Sequence, residues 1–123
     1  MSFVTERDVE QHFTAQGEAY GAWTVKLNCP GNAGMPDRLI IFPDGEIVFV
    51  EIKAPGKKPR PLQERMFARL EKRGHPVTVI DSLEEADFFW EVVDGHELMI
   101  EQSRSVANAP ARLRKGTVWE DKE

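Results

Sequence analysis

Two runs of β-branched and aromatic residues, Leu39-Ile40-Ile41-Phe42 and Ile47-Val48-Phe49-Val50, flank the tripeptide Pro43-Asp44-Gly45. Pro pre-sets φ at the first loop position and Gly accepts positive φ at the last. The pattern therefore predicts a hairpin with a three-residue loop, a type I turn closed by a glycine bulge. Counting outward from Phe42 opposite Glu46 sets Asp37 opposite Glu51. Directly opposed residues share a face, with Cβ atoms roughly 4.5–5.5 Å apart. Lys53 returns to that face by strand alternation.

The remaining pattern frames this hairpin. Thr5-Glu6-Arg7-Asp8 fits a capping box and opens a helix carrying Val9 and Phe13. Residues 23–28 alternate apolar and polar and read as a strand. Residues 29–35 hold Pro30, Gly31 and Gly34 and form a loop bordering Asp37. Pro55, Gly56, Pro59 and Pro61 forbid regular structure after Lys53. Pro61 then starts a helix to Arg73, stopped by Gly74. Its stripe Leu62, Met66 and Leu70, widened by Phe67, is expected to be core. Residues 76–80 read as a strand. A strand, helix and strand in succession imply a right-handed crossover, with this strand parallel to Ile47–Ile52. Ser82-Leu83-Glu84-Glu85 resembles a second capping box, opening a helix with Leu83, Ala86, Phe89, Trp90 and Val93 that ends before Gly95. The order is αβββαβα, an α/β fold with a mixed sheet flanked by helices. Residues 1–95 are expected to form this core and 96–123 a tail touching a partner subunit or DNA.

Composition adds limits. Apolar residues make up 41% of 123, enough for one packed domain without a covalent staple. The single Cys29 excludes a disulfide framework within one chain and fits a reducing compartment. No apolar run approaches the ~18 residues of a membrane span, and no signal-type segment opens the sequence, so a cytoplasmic protein with no membrane partner is expected. The net charge of −5 hides a polarised chain. Residues 53–75 carry eight Lys or Arg against two Glu, whereas residues 81–101 carry eight acids and no Lys or Arg. The basic stretch adjoins Glu51 and Lys53, which suits a polyanionic partner.

Two carboxylates set face to face repel, and a divalent cation between them reverses that sign. With the Lys53 ammonium beside them, the hairpin suits metal-assisted chemistry on a phosphate. No zinc-type Cys/His spacing competes, and His12, His75 and His96 are scattered enough to read as incidental.

Pro36-Asp37 followed by Glu51-Ile52-Lys53 resembles the signature of PD-(D/E)XK nucleases. The wider string resembles their VRR-NUC (virus-type replication and repair nuclease) branch: Lys26, Gly34-Met35-Pro36-Asp37-Arg38, Glu51 through Gly56, and Gln63. The resemblance spans about residues 5–90 and implies a restriction-endonuclease-like core. It also implies that Asp37, Glu51, Glu6 and the main-chain carbonyl of Ile52 hold Mg²⁺ or Mn²⁺, with Glu10 competing for the place of Glu6. Lys53 would stabilise developing charge or assist a water, and Gln63 would orient that water or a phosphate. Lys26, Lys57, Lys58, Arg60 and Arg65 would contact DNA. The implied reaction is phosphodiester hydrolysis in DNA by a homodimer that favours branched, four-way substrates. The rival reading is a non-catalytic DNA-binding module on the same fold.

Overall fold

The protein is described by a computed structural model over residues 3–93. It divides into two compact units, Met1–Trp90 and Glu91–Glu123; of the second, only residues 91–93 are described. The apolar and basic segments from Leu98 to Trp119 lie outside the described residues.

Helix α1 (Glu6–Ala19) begins at the Thr5 capping box. Thr5 Oγ1 accepts from Asp8 N at 3.1 Å, and Asp8 Oδ2 accepts from Thr5 N at 2.9 Å. Strands β1 (Trp23–Lys26), β2 (Arg38–Ile41) and β3 (Ile47–Ile52) follow, then α2 (Pro61–Lys72), β4 (Val77–Ile80) and a helix α3 over residues 83–93. The sheet order is β1-β2-β3-β4, antiparallel except for the parallel β3–β4 pair made by the α2 crossover. The fold is thus a mixed sheet flanked by helices. At the hairpin, Phe42 N donates to Glu46 O and Gly45 N to Phe42 O, both at 2.9 Å, with Gly45 at φ 94°. That is a three-residue loop closed by a positive-φ glycine, as expected from the sequence, and it fixes the register Ile41↔Ile47 through Arg38↔Val50.

The two faces of the sheet differ. Ile40, Val50, Ile52 and Ile80 are at most 1% exposed and belong to a closed core with Val9, Phe13, Ala86 and Trp90. Trp90 stacks on Tyr20 and meets Phe13, Phe42 and Phe89 with ring centroids 4.9–6.2 Å away, while its indole N–H donates to Phe13 O at 3.0 Å. Fully burying such a side chain is worth about 1.5–3 kcal/mol, so this aromatic cluster anchors the fold. Asp87 Oδ1 receives both His12 Nε2 (2.8 Å) and Gln16 Nε2 (2.7 Å), linking α3 to α1 and pulling the Asp87 carboxyl below its usual range. His12, expected to be incidental, is therefore structural; the 75-residue separation gave no local signal.

On the other face, Leu39, Ile41, Phe49, Val77 and Val79 are only half-buried. The α2 stripe was expected to fill this side as core. Instead Leu62 is 43% exposed, Met66 and Leu70 are half-buried, and the one buried side chain of α2 is polar, Gln63. The helix ends in a Schellman arrangement, His75 N to Leu70 O and Gly74 N to Glu71 O, both 3.0 Å. No helix among the described residues is long and apolar enough to cross a membrane.

Candidate active site

Hydrogen-bonded pairs alternate along an antiparallel ladder. Starting from the Phe42–Glu46 bond, the next such partner of Ile52 is Pro36, which has no N–H to offer its carbonyl. The ladder stops there, and the Asp37 side chain takes over. Its Oδ1 accepts from Ile52 N at 3.3 Å, while Glu51 Oε1 accepts from Asp37 N at 3.1 Å. The two acids are thus held across the strand ends by each other's strand. The ladder leaves the Ile52 carbonyl, next in sequence to Glu51, without a donor from β2.

Asp37 is half-buried, and its carboxyl is pushed up to about 6, first by burial and then by the charge of Glu51; Ile52 N–H and Arg38 oppose the rise. Glu51 is 5% exposed and is satisfied on both oxygens. Gln63 Nε2 donates to its Oε2 at 2.9 Å, and Lys53 Nζ stands 3.4 Å from the same atom. Gln63 Oε1 in turn accepts from Lys53 Nζ and from Arg60 N, each at 2.9 Å. One amide therefore caps α2, orients Glu51 and fixes the Lys53 ammonium. This buried bridge differs from the water-orienting role expected for Gln63.

The structure separates the first-helix acids. The Glu6 side chain is exposed and has no hydrogen-bond or ion-pair partner among the described residues. Glu10, one turn on, lies close enough for its charge to help raise Asp37, and its Oε2 accepts from Arg38 Nη2 at 2.7 Å. Of the two first-helix acids expected to compete for this place, Glu10 is the one whose charge reaches Asp37. Both lie on one helix face, and of the two only Glu10 pairs with sheet residues, Arg38 and Lys26. Arg38 was quoted in the motif without a role. Strand alternation turns it away from Asp37 toward α1, and its signal was adjacency alone. Lys26 stands 4.0 Å from Glu10 and is largely exposed. Lys57, Lys58, Arg60 and Arg65 have exposed side chains. Among the described residues no group of three or more Asp, Glu, His or Cys stands ready-made for a metal ion. The donors that do come together, the carboxylates of Asp37 and Glu51, are oxygens, and the undonated carbonyl of Ile52 adjoins Glu51 in sequence. A desolvated like-charged pair of this kind fits a hard divalent cation.

A mixed sheet between helices, with paired carboxylates and a lysine at the end of its central hairpin, defines a restriction-endonuclease-like fold. The VRR-NUC domain matches residues 16–84. A protein named "Putative nuclease p44" from Acyrthosiphon pisum secondary endosymbiont phage 1 is 45% identical over 82 residues, 67% of this chain and 88% of the relative. A solved structure described as a VRR_NUC domain superposes with a TM-score of 0.66 at 39% identity, covering 70% of this chain and 94% of that one. A second, a VRR_NUC domain protein, has a TM-score of 0.57 at 19% identity over 76% and 88%, and supports the fold alone. The chain belongs to the VRR-NUC family of nucleases.

Proposed function

We propose that the protein is a Mg²⁺- or Mn²⁺-dependent DNA endonuclease. The observation that supports this best is the Asp37–Glu51 pair, with Lys53 fixed between Glu51 and Gln63. Asp37, Glu51 and the Ile52 carbonyl would hold the cation, with Glu10 nearest among the helix acids. Such a cation supplies Lewis-acid stabilisation of phosphate charge and a water of lowered pKa. Lys53 presents its ammonium to the scissile phosphate from a fixed position, while Gln63 keeps it from collapsing fully onto Glu51. The exposed Lys57, Lys58 and Arg60 on the proline-rich loop, with Lys26 and Arg65, track the DNA backbone.

One chain carries one site, so it cuts one strand at a time. Two symmetric nicks in a branched substrate require two chains, and a two-fold dimer is the commonest way to supply them. We therefore assign the protein to four-way junctions as a homodimer. A panel of duplex, flap, single-stranded and four-way DNA incubated with Mn²⁺ tests both levels. Preferential paired nicking of the four-way substrate, with a dimer in sedimentation, supports the assignment. Cutting of all substrates alike by a monomer removes the junction reading, and metal-independent binding without cutting removes the enzyme.

A further inference from the structure

A cavity of about 150 Å³ lies between the 29–35 loop and α2, lined by Asn32, Met35, Met66, Arg69, Leu70 and Arg73. A cavity of that volume takes one aromatic ring. Its walls are tied to the catalytic residues from two sides. Met35 is two positions before Asp37, at most about 7 Å of backbone away. Met66 lies one helical turn after Gln63, which holds Glu51 and Lys53. Gly34 sits at φ 92°, and a Cβ there would lie 2.9 Å from the Leu62 carbonyl oxygen, so the loop is seated directly on the first turn of α2.

The lining has two chemistries. Met35, Met66 and Leu70 make apolar walls, with Asn32 supplying an amide donor and acceptor. Arg69 and Arg73 stand at the cavity with no acidic partner among the described residues; the guanidinium of Arg73 donates only to Arg69 O, at 3.0 Å, and that of Arg69 only to the Met66 sulfur, at 3.9 Å. A purely apolar ligand leaves two cations unused, and a bare phosphate leaves the apolar walls unused. A nucleotide uses both.

We propose that this cleft receives a single unpaired nucleobase of the DNA substrate, one beside the cleaved bond, with Arg69 and Arg73 on its flanking phosphate. The proposal rests on the nuclease reading and extends it to substrate choice. Extruding a base is easiest where pairing is already interrupted, which gives the enzyme its preference for branch points over continuous duplex.

The test uses four-way and flap DNA carrying 2-aminopurine at each position flanking the mapped cleavage site, bound to the full chain in Ca²⁺. Excitation lies beyond the tryptophan band. At one position the probe should brighten several-fold as it leaves the stack. Met66→Trp, filling the cavity at a half-exposed site, should lose that signal and raise the half-saturating substrate concentration about tenfold with the saturated rate kept. An abasic nucleotide at the same position should cost wild type the same factor and the variant nothing more. Matched melting curves control for folding, and Arg69→Gln with Arg73→Gln, both on the surface, should weaken the same signal. Wild type that cuts with no position brightening, or a Met66→Trp chain that brightens normally, overturns the cleft. A chain that neither binds nor cuts DNA with any divalent ion overturns the nuclease reading as well.

Discussion

The side-chain amide of Gln63 donates to Glu51 Oε2 at 2.9 Å while its oxygen accepts from Lys53 Nζ at the same distance. A carboxylate and an ammonium are thus kept adjacent yet each is partly occupied by a neutral group. Gln63→Leu keeps the volume and deletes three hydrogen bonds. It should destabilise the fold by about 1–3 kcal/mol, because buried Glu51 and Arg60 N–H lose a partner. The turnover rate should fall more than DNA affinity does. Urea unfolding and single-turnover cleavage measure the two effects. Unchanged stability would mean water replaces the amide.

Asp37 holds its proton more tightly in the native state, at about 6, than the ordinary value of 3.8. Between those values the folded protein keeps a proton that the unfolded chain releases. Metal-free stability should therefore decline as pH rises from about 4 to about 6, and this contribution should be flat above that. Asp37→Asn should remove that decline and melt higher than wild type at pH 7 in EDTA. In Mn²⁺ at 100 times Kd the wild type should gain about 2.7 kcal/mol, and the variant little. Urea midpoints across pH, with and without Mn²⁺, decide it; a wild-type curve parallel to the variant's would remove the coupling.

Lys53→Ala should abolish cleavage with DNA affinity nearly kept, since one cation among many is lost. Neutralising Lys57, Lys58 and Arg60 together should do the reverse. Binding should weaken, with the salt slope shallower by roughly 0.9 per lost phosphate contact on duplex. Fluorescence anisotropy across a salt series reads this, and an unaltered slope removes the loop from the interface.

A Cβ on Gly17 would lie 2.9 Å from Trp90 Cζ2 and 3.0 Å from Thr24 Cγ2. Trp90 is fully buried with its N–H committed to Phe13 O, so it has little room to move. Gly17→Ala should therefore destabilise by about 1–3 kcal/mol even though Ala is the better helix former. A higher denaturation midpoint would show that the indole yields.

The hairpin was legible because its loop chemistry and period-two pattern specify register together. From that register alone Asp37 falls opposite Glu51. The Thr5 box and the Pro61 start of α2 were legible for the same local reason. What a helix face packs against was not. The 3.6 period shows that Leu62, Met66 and Leu70 share a side, yet they border a cleft, with Gln63 carrying the buried contact. Glu6 and Glu10 likewise share a face by spacing, and spacing alone does not show that Glu10 is the one paired with Arg38 and Lys26. The Arg38–Glu10 and His12–Asp87 pairs span 28 and 75 residues, distances over which local pattern carries no information.

Among the side chains of α2 only Gln63 is buried, and it is also the one that joins Glu51 to Lys53. Its apolar Met66, Phe67 and Leu70 are only half-buried, so α2 is expected to open at a free energy below that of global unfolding. When it lifts, Glu51 and Lys53 lose their common tether while the sheet and the Trp90 cluster stay intact. The competent fraction is then set by a local equilibrium of one helix. Activity on warming would fade ahead of the melting transition, and amide exchange in α2 would slow when DNA holds that helix down.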